Sequence, residues 1–462
     1  MRLRLLLPRS RGGAGLRGLT SALPARRRAI GLLRRAGCAA FAALVVALAG
    51  CGGSHGSHRA RTAPVEPTPS GPAFGLTEDN ADLLLPPGAS AETSAHLETS
   101  AGPFLAARRE LTALHPRYLR LLVDWAALQP AAQNPPALEA SVGGCAREVG
   151  PCGAYAGVAA QLAAIASQQR AARAEGRPAF EVVIDILGAP SWAALSPHGC
   201  EAPGAVATAR PIAPAALDAY RGLVGALIAL GRREGVELPW WSPWNEPNDP
   251  RFLGPQRETC SPHGSPAAPA VYAQLASALS EELSAASPGS HLLLGELGGY
   301  DRGSPHRLSI AEFVRSLPAT ALCLSDTWSV HAYAGRDGHG AGVDPVRALE
   351  MALDERGGCA AGAHVWVTEA GAGAPQPGRA RTGGAEGSEA CLALAAQLAA
   401  WRADPRVGAV FQYTFRDDPA YPVGVMSADL RRLEPVYRLW LDSLRAGVLT
   451  APIRALGTIC QG

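Results

Sequence analysis

The sequence predicts an α/β fold, a (β/α)8 barrel of the TIM type, and three observations carry that expectation. From about residue 74 onward, short apolar runs alternate with longer Ala/Leu-rich segments. There are eight such runs, and the residues able to do chemistry gather at their C-terminal ends. Parallel strands need a crossover between neighbours, so strand–helix alternation implies a parallel sheet. Eight units in roughly 390 residues suit a closed barrel with long loops better than an open doubly wound sheet. Neither GxGxxG after the first strand nor GxxxxGK[ST] is present to favour the open form.

The expected strands are AFGLT (73–77), YLRLLVDW (118–125), FEVVIDILG (180–188) and WWSPWNE (240–246). HLLLGEL (291–297), TWSVHAY (327–333), HVWVTEA (364–370) and AVFQYTF (409–415) follow. Between them, segments such as 154–176, 214–235 and 269–287 place apolar residues every three or four positions and close on Gly or Ser, the pattern of amphipathic helices. In a barrel all C-terminal strand ends open on one face, where active sites are built. Asp124-Trp125, Ser191-Trp192, Asn245-Glu246, His331 with Tyr333, Glu369 and Tyr413 all fall there. Glu296, on the fifth run, reads as an exposed structural acid at the rim, and Trp366 as core.

Composition narrows the function classes. The chain has 462 residues, 47% hydrophobic and 18% charged, which suits a large globular core. Its formal charge of +2 is uneven: twelve arginines precede the first acid, Glu66, leaving an acidic body. An acidic body is a poor partner for nucleic acid, whose binding rests on phosphate neutralisation.

The N-terminus reads as a targeting segment. Residues 36–50, AGCAAFAALVVALAG, follow a basic stretch and are too short to cross a bilayer, which needs about 20 helical residues. They end in Leu48-Ala49-Gly50-Cys51, which resembles the lipobox of bacterial lipoproteins, in which the Cys is lipidated. The expected division is therefore a signal peptide over 1–50, a Gly/Ser/Pro-rich tether over 51–72 and the barrel over 73–462. The protein is expected outside the cytoplasm, either held at the membrane through a lipid on Cys51 or secreted. Eight further cysteines form no CxxC pair and suit an oxidising compartment. Cys145–Cys152 would close a short loop; by position, Cys200 would meet Cys260, Cys323 would meet Cys359, and Cys391 would be left for Cys460.

The strongest local signals are Trp244-Asn245-Glu246-Pro247-Asn248 at the fourth strand and Val365-Trp366-Val367-Thr368-Glu369-Ala370 at the seventh. With them the stretch from about 74 to 445 resembles the barrel clan of retaining glycoside hydrolases, which includes families 5 and 39. The resemblance implies that Glu246 is the acid/base and Glu369 the nucleophile. It further implies that Arg120 on the second strand supports the nucleophile and that Asn245 binds the sugar 2-hydroxyl. His331 and Tyr333 would line the pocket as the clan's His-x-Tyr. Trp125, Trp192 and Tyr413 would offer flat faces to sugar rings; the clan's strand-eight Trp is missing from 411–415, where Tyr413 stands in its place.

The chemistry itself asks for such a pair. Breaking a glycosidic bond needs one acid to protonate the leaving oxygen and a second group on the opposite face of the sugar, with the two carboxyl groups about 5–5.5 Å apart if configuration is retained. No metal and no organic cofactor is required. The expected partner is a β-linked carbohydrate, and the expected state a monomer. A catalytically silent glycan-binding barrel, a transglycosylase and a two-lobed solute-binding lipoprotein are the competing readings.

Overall fold

The computed structural model describes residues 70–78, 102–139, 157–334, 343–372, 385–417, 421–452, 455–456 and 459–460. The chain divides into two units, Met1–Val65 and Glu66–Gly462, and the described residues all belong to the second. The signal segment, Cys51 and the Cys145–Cys152 pair lie outside the described residues.

Nine parallel strand segments form one continuous sheet: β1 (Ala73–Thr77), β2 (Tyr118–Asp124), β3 (Glu181–Leu187), β4 (Trp240–Ser242), β5 (His291–Leu292), β6 (Leu294–Leu297), β7 (Thr327–Ala334), β8 (His364–Ala372) and β9 (Val407–Tyr413). Hydrogen bonding runs β5-β4-β3-β2-β1-β9-β8-β7-β6. Only Leu293 separates β5, which pairs with β4, from β6, which pairs with β7. The run His291–Leu297 is thus a single stave that completes the ring, and the protein is a (β/α)8 barrel. Helices such as Val158–Ala174, Leu217–Glu234 and Ala268–Ala286 make the crossovers. A terminal pair, β10 (Leu444–Arg445) and β11 (Val448–Leu449), adds antiparallel to the start of β1.

The strands lie within two residues of the predicted bounds, apart from the break at Leu293 and one larger shortening. β4 stops at Ser242 rather than reaching Glu246, because Pro243 has no N–H to donate to a ladder. The chain leaves the sheet there, and Glu246 takes a left-handed backbone, φ 36°.

Alternation along each strand sorts the barrel interior into layers. The lower layer is apolar: Tyr118, Trp240, Trp366 and Phe411 stack at centroid distances of 4.4–5.9 Å, packed with Val183, Leu293 and Ala409. Trp366 is core, as expected. Gly75 on β1 is needed beside this floor, since a Cβ there would sit 2.4 Å from the Phe411 ring. Two residues further along the strands the interior turns polar. Thr77, Arg120, Asp185, Ser242, Glu296, Ser329 and Thr368 are all fully buried in that layer. So many polar groups withdrawn from water require partners, and those partners make the site.

Among the described residues three disulfides brace the barrel: Cys200–Cys260, Cys323–Cys359 and Cys391–Cys460. Each is the pairing expected from position. Cys200–Cys260 joins the loops that follow β3 and β4, beside the barrel mouth.

Candidate active site

Arg120 is the centre of the polar layer. Its Nη1 donates to Glu369 Oε1 at 2.9 Å, and its Nη2 lies 2.8 Å from Asp185 Oδ2, 2.8 Å from Glu296 Oε2 and 2.9 Å from Asn245 Oδ1. One planar guanidinium therefore ties together β2, β3, β6, β8 and the loop after β4, a task suited to its fixed fork of donors. The surrounding acids raise its pKa further, although burial alone would lower it.

Glu369 sits on β8 just past an irregularity in its pairing with β7. Oε1 accepts from Arg120, and Oε2 accepts from the Tyr333 hydroxyl. His331 Nδ1 stands 3.3 Å from the same Oε2. Bonds on both oxygens hold the carboxyl in one orientation. Burial, with Glu369, Tyr421 and Tyr413 nearby, pushes the Tyr333 phenol well above its usual pKa, so it stays a donor.

Glu246 faces Glu369 across the mouth. Its Oε1 lies 2.9 Å from His331 Nδ1 and its Oε2 lies 3.5 Å from Arg251 Nη2. One oxygen of each carboxyl and His331 all lie within 4.8 Å of one another. Asn245, the preceding residue, has its carbonyl oxygen taken by Arg120, which turns its NH2 the other way.

The expected residues Glu246, Glu369, Asn245, Arg120, His331 and Tyr333 are thus gathered into one connected cluster. Tyr413 flanks it, 6.1 Å from Tyr333 by ring centroids, and Tyr421 joins them at 5.0 and 5.7 Å. Trp192 lies on the loop after β3, half-buried, with its indole N–H on the Gln129 carbonyl at 2.8 Å.

Trp125 does not fit its expected place as a sugar platform. It is fully buried, its Nε1 donates to Gln129 Oε1 at 2.8 Å, and its ring meets Trp192 and Tyr220 edge-on. The cause is local: Asp124 caps a short helical turn, Trp125–Leu128, that rolls the indole under the loop. Trp125 supports Trp192 from behind.

Glu296 is the second correction. It is fully buried rather than exposed at the rim. Arg120, His331 and Thr368 converge on its Oε2 at 2.8, 2.9 and 2.7 Å, and Ser242 donates to Oε1 at 2.8 Å. These partners hold its pKa down at about 2 against a burial penalty that would raise it, with Arg120 the largest stabiliser. Asp185 responds in the opposite direction: burial outweighs the nearby Arg120 and pushes its pKa well above its usual value.

A third group was invisible to sequence reasoning. Arg251, two-thirds exposed, is clamped by Asp249 through contacts of 3.0 and 2.9 Å, and Tyr300 donates to Asp249 at 2.5 Å. Arg251 thereby brings a cation to within 3.5 Å of Glu246, and none of these three residues carries a motif that would single it out.

Glu246, His331 and Glu369 form a donor set that could in principle hold a cation. Here each His331 nitrogen faces a carboxylate and both Glu369 oxygens accept hydrogen bonds, an arrangement suited to moving protons. The other such group, Cys200, Cys260 and His306, has its sulfurs joined in a disulfide and offers no thiolate.

No family model and no curated protein matches the chain. Among solved structures it is similar to SrfJ from Salmonella typhimurium, at 8% identity over 84% of this chain and 74% of that one, with a TM-score of 0.51. It is also similar to a family 39 glycoside hydrolase from Bacteroides cellulosilyticus WH2, at 16% identity over 82% of this chain and 64% of that one, TM-score 0.47. The chain spans less than two thirds of the length of that protein. A GH5_18 structure from Streptomyces cattleya in complex with GlcNAc aligns at 16% identity over 83% of this chain and 82% of that one, TM-score 0.47. At these identities the likeness is one of fold.

Proposed function

We propose that the protein is a retaining glycoside hydrolase acting on a β-linked carbohydrate, with Glu369 as nucleophile and Glu246 as acid/base. The observation that carries this reading is the approach of the two carboxyl groups, with oxygens within 4.8 Å of each other and His331 between them. Direct displacement needs a separation of about 5–5.5 Å, whereas inversion leaves room for a water at roughly 6.5–9.5 Å.

In the first step a Glu369 oxygen attacks the anomeric carbon as the bond to the leaving oxygen breaks and Glu246 delivers its proton there. In the second, Glu246 takes a proton from water, the water oxygen attacks the same carbon, and the bond to Glu369 breaks. Arg120 and Tyr333 hold Glu369 in line for attack. Asn245 presents its NH2 to the 2-hydroxyl, and Tyr413 and Trp192 supply ring faces for the sugar. Retention of both carboxylates in one connected network supports catalysis over mere glycan binding. We further propose a location outside the cytoplasm, on the strength of the Cys51 lipobox and the three disulfides.

The test is a screen of aryl glycosides with the wild type, Glu369→Ala and Glu246→Ala. Glu369→Ala should abolish turnover. Glu246→Ala should keep activity on substrates with good leaving groups and gain further from azide. Normal hydrolysis by folded Glu369→Ala, or by folded Glu246→Ala on substrates with poor leaving groups, would remove the role assignment.

A further inference from the structure

The mechanism above leaves Glu296 unused, although it is a fully buried carboxylate with four side-chain partners. Glu296 takes hydrogen bonds from side chains on β2, β4, β7 and β8. Its own backbone is bent to reach them: φ is 49° at Glu296 and 104° at Gly295, where a Cβ would sit 2.4 Å from the Ser329 carbonyl oxygen. A left-handed conformation is uncommon for a residue with a side chain. Ser329 Oγ secures the bend by accepting from the Glu296 amide at 2.8 Å. A fold that bends a strand to bury a charge has placed it against something.

That something is His331. Its Nε2 faces Glu296 Oε2 at 2.9 Å, while its Nδ1 faces Glu246 Oε1 at 2.9 Å and Glu369 Oε2 at 3.3 Å. A neutral imidazole has one N–H and one bare lone pair, so with carboxylates at both ends it would turn a lone pair toward one of them. Only the doubly protonated ring donates both ways. We propose that Glu296 is a positioning residue that holds His331 as a two-ended donor, so that Glu246 and Glu369 share its Nδ1 hydrogen and the proton held at the acid/base depends on a carboxylate that never meets the substrate. This rests on the glycosidase reading for its catalytic consequence.

The groups facing the imidazole agree. Glu246 comes from the loop after β4, Glu296 from β6 and Glu369 from β8; Arg120 on β2 and Asp185 on β3 lie behind Glu296, and Tyr333 on β7 and Arg251 stand beyond the other two acids. Burial alone would lower the His331 pKa, but Glu369, Glu246 and Glu296 together raise it to about 10. The Nδ1 hydrogen is the proton that Glu246 carries when it acts as the acid; as the pH rises that shared proton is lost, Glu246 or Glu296 meets a lone pair, and the alkaline limb of activity follows.

Glu296→Gln separates charge from shape. The Gln carbonyl can stand where Oε2 accepts its three donors, while its NH2 meets the Ser242 hydroxyl, which can turn to accept. The control is Ser242→Ala, which removes a donor to the oxygen that does not touch His331. The readouts are the pH profile of kcat/KM on an aryl glycoside and the pH titration of the His331 ring by NMR, with its signals assigned by their loss in His331→Gln. Glu296→Gln should move both the alkaline limb and the ring titration down by about one pH unit or more, a tenfold loss of proton affinity, with Ser242→Ala leaving both in place. Ring titrations that coincide in wild type and Glu296→Gln, or equal shifts in both variants, would overturn the proposal. If the wild type hydrolyses no glycoside, the glycosidase reading fails, and the ring titration alone still decides whether Glu296 governs His331.

Discussion

Arg120 and Glu369 are 249 residues apart in the chain and 2.9 Å apart in the barrel. Everything at the mouth is arranged around that contact, because the guanidinium that meets Glu369 on one nitrogen meets Asp185, Asn245 and Glu296 on the other. Its position on the polar layer, level with Thr77 across the β1–β2 pairing, makes it the fixed point against which the other strands are registered.

Arg120→Met should therefore harm stability as well as activity. It leaves Glu296 and Glu369 buried with their main cation gone, and breaking a buried pair on one side costs about 3–5 kcal/mol. Arg120→Lys should recover only part of this, since one ammonium cannot reach four acceptors in the plane of a fork. Denaturant unfolding of the two variants against wild type is the measurement; a loss under about 1 kcal/mol for Met would contradict the network, that being the level of an exposed pair.

Tyr333→Phe removes a single hydroxyl from Glu369 Oε2 and leaves the ring packed on Tyr413 and Tyr421. A hydrogen bond to a charged group is worth about 1.5–3 kcal/mol, so kcat/KM should fall by roughly ten- to a hundredfold. The melting temperature should fall by only a few degrees, because the unfolding entropy of so large a domain spreads the loss. A variant as active as wild type would mean that the hydroxyl does not orient Glu369 for attack.

The His331 cluster predicts a pH dependence of stability. Its pKa is raised in the folded state, from 6.5 to about 10, so its contribution is fully present below pH 6.5 and is lost as the pH climbs toward 10. Glu296 behaves in the opposite sense: its pKa is lowered from 4.5 to about 2, so its contribution is present above pH 4.5 and lost as the pH falls toward 2. Thermal unfolding across these windows should show a decline on each side, and His331→Gln should flatten the alkaline one. An unchanged alkaline slope in that variant would assign the decline to other groups.

The Cys200–Cys260 bridge joins the loops after β3 and β4, the second of which carries Glu246. Replacing both with Ser should lower stability by about 2–4 kcal/mol and raise KM more than it lowers kcat, because the loops shape the mouth while Glu369 is held on β8 and Glu246 is tied to His331 on β7. Steady-state kinetics of the double variant, with unfolding alongside, measures both effects.

Much of this was legible before any coordinates. Apolar runs such as VVIDIL and LRLLVD are local patterns, and local patterns place strands. The two glutamates, Asn245, His331 and Tyr333 stand at expected strand ends, which a barrel brings to one face; Arg120 lies inside its strand and is singled out only by the resemblance to the glycoside hydrolase clan. Two of the three described disulfides follow from which end of a strand each cysteine adjoins, and Cys391–Cys460 is the pair that remains. Trp125 was misjudged because an aromatic at a strand end looks the same whether it opens to the mouth or turns under a loop; the Asp124 cap decides, and its effect depends on Trp192 and Tyr220.

Glu296 marks the boundary most clearly. A lone acid among LLLGEL reads locally as a residue turned to solvent, because burial of an unpaired carboxylate is costly. The groups that make burial tolerable lie 35, 54, 72 and 176 residues away, and no periodicity connects them. Strand order and the identity of the facing acids are properties of the chain, written in short-range alternation of apolar and polar side chains. Which acids are charged, and which share a histidine, depends on distances of a few ångströms between separate strands, and only the closed barrel sets those.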